Sequence, residues 1–314
     1  MEMYYPFLRG KQFELILLRE SSNVLAKYIH PIIEPVRKDF KSLNRAIEIL
    51  AKEKVLFTLI VNPITGEYPV SQESILTYID NSSIDLTTIS LGYILNADSN
   101  IDELVEFLVK YNDKDFSIIH YGYSNSKNIA EKIYEYKNIK RHIFIDGYAG
   151  KLYQRHLKTD AVKRILLRDG FKSQRKNALY PESEHFSDLH ITYPDEGMDG
   201  FGDFLTVGDD YSETGGPAYA VAIHLTYFNE EEDMFIYHFV SDRTDSPTDP
   251  GGKFLEALEK LITKGESEDS FIFKSKAYDE FKELYEKQHY PGLGYIKKLS
   301  MQHHIELIVD FLKK

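Results

Sequence analysis

Short apolar runs that end on a polar or charged residue recur along the first half of the chain, each followed by an amphipathic segment. Runs rich in β-branched and aromatic residues predict strands, and the segments between them predict helices. The runs are Phe13–Arg19, Pro31–Glu34, Val55–Asn62, Thr88–Tyr93, Phe116–His120, His142–Asp146 and Arg164–Asp169, with an eighth candidate at Phe204–Val207. Alternating strands and helices predict parallel strands joined by crossovers, and about eight such units predict a TIM-barrel-like α/β fold.

The second half of the chain does not continue this alternation of predicted strands and helices. Residues 171–217 show no sustained period and predict an irregular insertion, which is usually functional when it is this long. Ala218–Tyr227 and Met234–Val240 are joined by a short acidic connector and predict a β-hairpin within 218–242. Helical periodicity returns in 253–314. We therefore expect a single domain over 1–314, with regular β/α units in 1–170 and C-terminal helices at the end.

Composition narrows the class of protein. The chain has 314 residues, of which 42% are hydrophobic, so it can bury a large core. A formal net charge of −12 argues against a surface built for nucleic acid. The absence of cysteine removes disulfides, thiolate nucleophiles and thiolate-bound zinc. No apolar run reaches the length of a membrane span, so we expect no membrane partner and a cytoplasmic protein.

Polar groups at the predicted strand ends are the first candidates for chemistry. In parallel α/β folds the ligand site lies beyond the carboxyl ends of the strands, where these groups would converge on one mouth. Acid–base or metal-binding roles are predicted for Glu34, His120, Asp146 and Asp169, with Arg19, Asn62 and Arg168 as ligand-binding groups. Several carboxylates around one mouth could hold a divalent metal. The alternative is that these residues are solvated strand ends.

Two histidines in the predicted hairpin form the second candidate. His224 and His238 each lie near the middle of a strand, and pairing in register would place them on one face. Two such imidazoles can hold zinc, but they are more often core groups or groups that orient a ligand. Asp203, flanked by two phenylalanines, is expected to point inward. The pair His303-His304 lies on the last predicted helix and is expected at the surface.

Motifs in Met3–Leu15, Gly200–Thr226 and His238–Phe254 resemble the beta-protein family, which is named for a phage protein and found in bacteria. The first is MYYPFLRGKQFEL at Met3–Leu15. The second combines Gly200–Phe204, Gly215–Pro217 and Ala220–Thr226, and the third runs from His238 and Ser241 to Lys253-Phe254. The resemblance spans most of the chain, which implies one intact family member.

This resemblance implies a component of a bacterial two-protein system of the phage-defence type, acting with a nuclease-like protein partner. It implies no catalytic role, and only marks positions of interest: Arg9, Lys11, Glu14, Asp203, His224 and His238. Because Arg9 and Lys11 precede the first predicted strand, and Asp203 precedes the last, we expect them at the bottom of the barrel, away from the mouth.

Two other functions remain open from the sequence. One is a barrel-type metal-assisted hydrolase of a phosphoester or nucleotide, in which the cation polarises the substrate and generates hydroxide at the strand-end groups. The other is single-stranded nucleic-acid binding through the basic and aromatic stretch Lys127–Arg141. The acidic net charge makes nucleic acid unlikely as a direct ligand.

Overall fold

The computed structural model describes residues 3–66, 72–81, 86–212 and 216–314. Gly215 of the family-like motif lies outside the described residues, as do the other positions of 213–215 in the predicted insertion. The chain forms two compact units. The first comprises residues up to Arg168 together with Leu189–Asp203, and the second comprises Asp169–Asp188 and Phe204–Lys314.

Eight parallel strands form the sheet of the first unit, in chain order. They are β1 (Phe7–Leu8), β2 (Ile32–Ile33), β3 (Phe57–Ile60), β4 (Ile89–Leu95), β5 (Phe116–His120), β6 (Ile139–Ile145), β7 (Lys163–Leu167) and β9 (Gly200–Gly202). The two edges meet, because Tyr5 N donates to Phe201 O at 2.8 Å and Phe7 N donates to Asp203 O at 2.9 Å. The predicted TIM-barrel-like fold is confirmed.

Helices connect these strands, and the longer ones bury an apolar face. They are α1 (Gln12–Glu20), α2 (Ser22–Tyr28), α3 (Lys41–Lys52), α4 (Gln72–Asn81), α5 (Ile101–Lys110), α6 (Ser126–Ile133), α7 (Lys151–His156) and α8 (Leu189–Thr192). In α3 the buried residues Leu43, Ala46, Ile47 and Leu50 recur at helical spacing. The side chain of Asn100 caps α5 by accepting from Asp102 N at 3.0 Å.

The strand predicted at Phe13–Arg19 is wrong, because this segment forms helix α1. A short apolar run does not distinguish a strand from a buried helix. Glu14 favours the helix over a strand, because its carboxylate accepts from the backbone nitrogen of Lys11 at 3.3 Å and so closes the first helical turn. The first strand lies earlier, at β1, and is only two residues long.

The strand predicted at Phe204–Val207 is also wrong. Its place is taken by β9, Gly200–Gly202, while Leu205–Val207 forms a 3₁₀ turn. A Cβ on Gly202 would lie 2.0 Å from the carbonyl oxygen of Tyr5, so only glycine allows this close approach to the β1 side. Arg9 therefore follows β1 and Asp203 follows β9. Both lie at the carboxyl ends of their strands, and the predicted position at the bottom is wrong.

The second unit is built on a three-stranded antiparallel sheet of order β10-β11-β8. Its strands are β8 (Ser183–Ser187), β10 (Ala222–Phe228) and β11 (Met234–Val240), so the predicted hairpin is confirmed. The C-terminal helices are also confirmed as α9 (Pro250–Glu266), α10 (Lys276–Glu286) and α11 (Leu293–Phe311).

One face of this sheet packs against the three helices. Ile223, Leu225 and Tyr237 lie in the same buried cluster as Phe254 of α9 and Phe281 of α10. Because strand residues alternate between faces, the residues between them, including His224, lie on the opposite face. Among the described residues, no helix is both long enough and apolar enough to cross a membrane.

Candidate functional site

Hydrogen bonds across the sheet show which strand residues face the inside of the barrel. Thr58 of β3 and Ser117 of β5 lie two strands apart, yet their hydroxyl oxygens are 3.0 Å apart. Side chains converge in this way on the concave inner face. Since successive residues alternate, Ser117 faces the inside of the barrel and His120 faces the helices.

His120 lies in a buried cluster on the helix side of β5. Its Nε2 lies 3.0 Å from Nδ1 of His142, and its Nδ1 lies 2.8 Å from the hydroxyl of Tyr153 in α7. Burial and the neighbouring His142 hold the pKa of His120 well below its usual value, and burial lowers the pKa of His142 to about 4. The predicted base is thus a neutral group behind the sheet, and it does not face the barrel interior.

Glu34 lies directly after β2 and is fully engaged by the protein. Its Oε2 accepts from Nε of Arg9 at 2.9 Å, and both side chains are buried. Its Oε1 accepts from the backbone nitrogens of Ile64 and Thr65 at 2.8 and 3.0 Å. The carboxylate therefore joins the ends of β1 and β2 to the segment after β3.

The other marked residues near β1 belong to helix α1. Glu14 is buried in its first turn, and burial raises the pKa of that carboxyl, opposed by its hydrogen bond to Lys11 and by the charges of Lys11 and Arg9. Arg19 lies in the last turn of α1, half-buried. It is not at a strand end, because the predicted strand is a helix.

Asp146 and Arg168 follow β6 and β7 and form an ion pair. Oδ2 of Asp146 accepts from Nε of Arg168 at 2.6 Å, and Oδ1 accepts from the nitrogen of Gly147 at 3.0 Å. Glu196 lies 3.6 Å from the same guanidinium and also pairs with Lys151. The carboxylate of Asp146, like that of Glu34, is therefore neutralised by an arginine side chain.

Asn62 and Asp203 also hold strands together. The side chain of Asn62 bonds to both the carbonyl oxygen and the nitrogen of Ile94, at 2.9 and 2.8 Å, and so extends the pairing of β3 with β4. Asp203 is buried, and its Oδ1 accepts from the hydroxyl of Tyr4 at 2.5 Å. Burial and the charge of Asp203 raise the pKa of Tyr4 well above its usual value.

Asp169 belongs to the second unit and organises a turn. Its two carboxylate oxygens accept from the nitrogens of Phe171 and Asp209, at 2.9 and 2.8 Å. No group of three or more His, Cys, Asp or Glu side chains in the described parts of the chain is arranged to hold a metal ion. The four predicted catalytic residues therefore lie in four different settings, and no common metal site is formed from them.

The second unit brings together a different set of groups. His224 and His238 are register partners of β10 and β11, and their Nδ1 atoms lie 2.7 Å apart. Nε2 of His238 lies 3.1 Å from Oε1 of Glu184 in β8. The three strands thus align one carboxylate and two imidazoles in a single chain of hydrogen bonds, which we call the Glu184 relay.

The carboxylate of Glu184 determines which ring nitrogen of each histidine in the relay carries a proton. An ionised carboxylate only accepts hydrogen bonds, so Nε2 of His238 must carry a proton. In a neutral ring Nδ1 of His238 is then an acceptor, and Nδ1 of His224 donates to it. Nε2 of His224 is left with its lone pair free, and among the described residues it has no hydrogen-bond partner.

Aromatic rings surround the two imidazoles. Tyr180 stacks on His238 with ring centroids 4.7 Å apart, and Phe171 meets His224 edge-on at 5.0 Å. Burial is the main cause that lowers the pKa of both histidines, and His224 is also affected by the positive charges of His238 and Lys297. Glu184 opposes the shift at His238. His224 itself is half-buried, so its neutral ring remains partly open to solvent.

Sequence reasoning found the two histidines but not Glu184 or Tyr180. Both lie in 171–217, where the sequence predicted no regular structure. No periodic signal was available, because Ser183–Ser187 contains one apolar residue, Phe186, and its polar and apolar positions do not alternate.

Comparisons with known proteins concern only the fold. No family model and no curated protein matches the chain. Among solved structures, N-acetylneuraminate lyase from Mycoplasma synoviae is 12% identical with a TM-score of 0.40, over 65% of this chain and 67% of that one. A protein from Coccidioides immitis assigned to the dihydrodipicolinate synthase family is 11% identical with a TM-score of 0.44, over 98% of this chain and 87% of that one. Likeness at this level says nothing about activity.

The expected membership in the beta-protein family is wrong by these comparisons, because no family model matches the chain. The two-protein phage-defence system and its nuclease-like partner were implied only by that resemblance. Without the resemblance, neither expectation has support. The hydrolase is corrected too, because its carboxylates are neutralised by arginine or bound to backbone, and His120 faces the helices.

Single-stranded nucleic-acid binding through Lys127–Arg141 is likewise corrected. Arg141 is in register with Ser117 and faces the inside of the barrel. Lys132 pairs with Asp102, and Lys140 lies 3.8 Å from Asp115. Among the described residues, only Lys127 and Lys137 of this stretch are exposed without an ion pair, which is too few cations for a nucleic-acid surface.

Proposed function

We propose that the second unit carries an acid–base catalytic site, with Nε2 of His224 as the proton-accepting atom. The observation that carries this proposal is the Glu184 relay, in which a carboxylate fixes the tautomers of two hydrogen-bonded imidazoles and leaves one nitrogen free. A location in the cytoplasm, expected from the cysteine-free chain, forms part of the same proposal.

The proposed chemistry is proton abstraction from a bound small molecule. Nε2 of His224 takes the proton of a hydroxyl, a water or an acidic C–H, and the ring becomes an imidazolium. Its Nδ1–H remains bonded to His238, whose Nε2–H points to Glu184, so the new charge is stabilised through the relay. The same proton returns to the product from Nε2, which leaves the site unchanged after each cycle.

The surroundings suggest the kind of molecule that would bind. Phe171 and Tyr180 offer aromatic faces beside His224. Lys297 is exposed on α11, and its charge acts on His224. These groups favour a small substrate with a planar or apolar body and an anionic substituent.

The proposal is tested with 4-nitrophenyl acetate, a general probe of reactive imidazoles. The lone pair of Nε2 attacks the ester carbonyl and expels 4-nitrophenolate, and water then removes the acetyl group. Ten other histidines (11 less His224) give a background, so we expect His224→Gln to lower the rate about tenfold. Because the pKa of His224 is lowered, the wild-type rate should also stay level to a lower pH than that of free imidazole.

His289→Gln is the matched control, because His289 is an exposed histidine of the same unit outside the relay. It should keep the wild-type rate. Equal rates for the wild type and His224→Gln, with both variants folded by circular dichroism, would refute the proposed site.

A further inference from the structure

The inner face of the barrel is polar at its amino-terminal end. Thr58, Ser90 and Ser117 face inward there and are joined by hydrogen bonds of 3.0 Å. Arg141 of β6 is the register partner of Ser117, and Lys163 of β7 is the register partner of Arg141, so both cations lie on this face. A barrel interior is usually filled by branched apolar side chains, so a layer of polar and charged side chains at this position is unusual.

The hydroxyl groups form a chain with a definite direction. Ser90 donates to the carbonyl oxygen of Asp115 at 3.3 Å, so its oxygen accepts from Ser117, and Ser117 in turn accepts from Thr58. Thr58 then accepts from Nε2 of His30 at 2.8 Å. Nδ1 of His30 is left as an acceptor, and it is fully buried without a hydrogen-bond partner in the described residues. Burial and the charges of Arg141 and Lys163 lower the pKa of His30, which keeps its ring neutral.

The two cations are also uncompensated. Among the residues that the structure describes, no carboxylate lies within ion-pair distance of Arg141 or Lys163, and Nε of Arg141 is buried without a partner. Like charges side by side on neighbouring strands destabilise a sheet unless a counter-charge is present. Tyr5 lies between the two features, because its ring packs 5.1 Å from His30 and the positive charge of Arg141 acts on its hydroxyl. The carboxylate of Asp199 acts on the same hydroxyl in the opposite sense.

We infer that Arg141, Lys163 and His30 bind hydrogen phosphate at the amino-terminal end of the barrel. The two cations match the negative oxygens of the ion, and the free Nδ1 of His30 accepts from its hydroxyl group. Sulfate has the same shape and size but no proton to donate to His30. This site is independent of the Glu184 relay, which belongs to the other unit.

The test is isothermal titration of the whole protein with inorganic phosphate and with sulfate, at equal ionic strength and near neutral pH. We expect one phosphate per chain, and sulfate should bind about tenfold more weakly, the equivalent of one lost hydrogen bond to a charged group. Lys163→Gln and Arg141→Gln should each weaken phosphate about tenfold. Lys163 is exposed, so its substitution should leave the fold intact.

Lys140→Gln is the matched control, since Lys140 precedes Arg141 on the same strand but is exposed and pairs with Asp115. It should bind phosphate like the wild type. Absence of saturable phosphate binding by the wild type, or wild-type affinity in both site variants, would overturn the site. Equal affinity for sulfate and phosphate would overturn the role of His30.

Discussion

Each unit of this protein contains two histidines joined through their ring nitrogens, but the two pairs end on different groups. In the barrel, His120 and His142 lie 3.0 Å apart and the chain ends on the hydroxyl of Tyr153. In the second unit, His224 and His238 lie 2.7 Å apart and the chain ends on the carboxylate of Glu184.

The terminal group decides what each pair can do. A phenol hydroxyl both donates and accepts, so Tyr153 leaves the tautomers of the barrel pair open. A carboxylate only accepts, so Glu184 fixes the proton positions and stabilises a positive charge on the relay. Burial adds to the difference, because His120 is fully buried whereas His224 is half-buried. The first pair is suited to packing and the second to proton transfer.

The largest difference in stability is expected when one histidine of each pair is replaced by alanine. His120→Ala removes a buried ring, its stack on Phe144 and two hydrogen bonds, so we expect a loss of about 3 kcal/mol in the free energy of unfolding. His224→Ala should cost about 1 kcal/mol, because His224 is only half-buried and makes one hydrogen bond. Urea unfolding followed by circular dichroism measures both. Equal losses would contradict the contrast.

Acid should destabilise the barrel through its histidine pair. The pKa of His142 is about 4 in the folded protein and about 6.5 in an unfolded chain. The unfolded state therefore binds more protons between these values, so stability is full above about pH 6.5 and falls as the pH drops towards 4. At about pH 5 the loss from His142 is about 2 kcal/mol.

The measurement is urea unfolding at about pH 7.5 and pH 5, for the wild type and His142→Phe. The variant lacks the titrating ring and should lose correspondingly less stability between the two pH values. An identical pH dependence in both proteins would show that His142 is charged or exposed in the folded state.

The carboxylate of the relay is tested by Glu184→Gln. Glutamine keeps the size and an accepting oxygen but carries no charge to stabilise an imidazolium. We expect the His224-dependent reaction with 4-nitrophenyl acetate to slow about tenfold. Glu182→Gln is the control, since Glu182 is exposed and contributes only its backbone oxygen to His238. Equal rates in both variants would remove Glu184 from the account.

The smallest effect is expected for Tyr153→Phe, which removes the group that ends the barrel pair. One hydrogen bond to His120 is lost, at a cost of about 1 kcal/mol in the free energy of unfolding. The reaction of His224 should not change. A change in that reaction would mean that the two histidine pairs are not independent.

The regular part of the barrel could be predicted from the sequence because its strands are short apolar runs with polar ends. Phe116–His120 is such a run and is found as β5. The two edge strands could not be predicted, since β1 has only two residues and β9 consists of glycines around one phenylalanine. Neither leaves a periodic pattern.

The candidate site was partly accessible to the same reasoning. The hairpin pattern is sufficient to pair His224 with His238, because the connector between the strands is short. Glu184 reaches His238 from 54 residues away in the chain, and no local pattern indicates such a contact. His303 and His304 were expected at the surface, and this is wrong. Both are fully buried, with His303 bonded to Ser275 and His304 to Thr226.

The proton positions of the relay are the most direct test of the account. Nitrogen-15 NMR of the histidine rings near neutral pH distinguishes protonated from unprotonated ring nitrogens. We predict that His224 carries its proton on Nδ1 and His238 on Nε2, with the other two nitrogens bare. A proton on Nε2 of His224, or two protons on either ring, would contradict the proposed base.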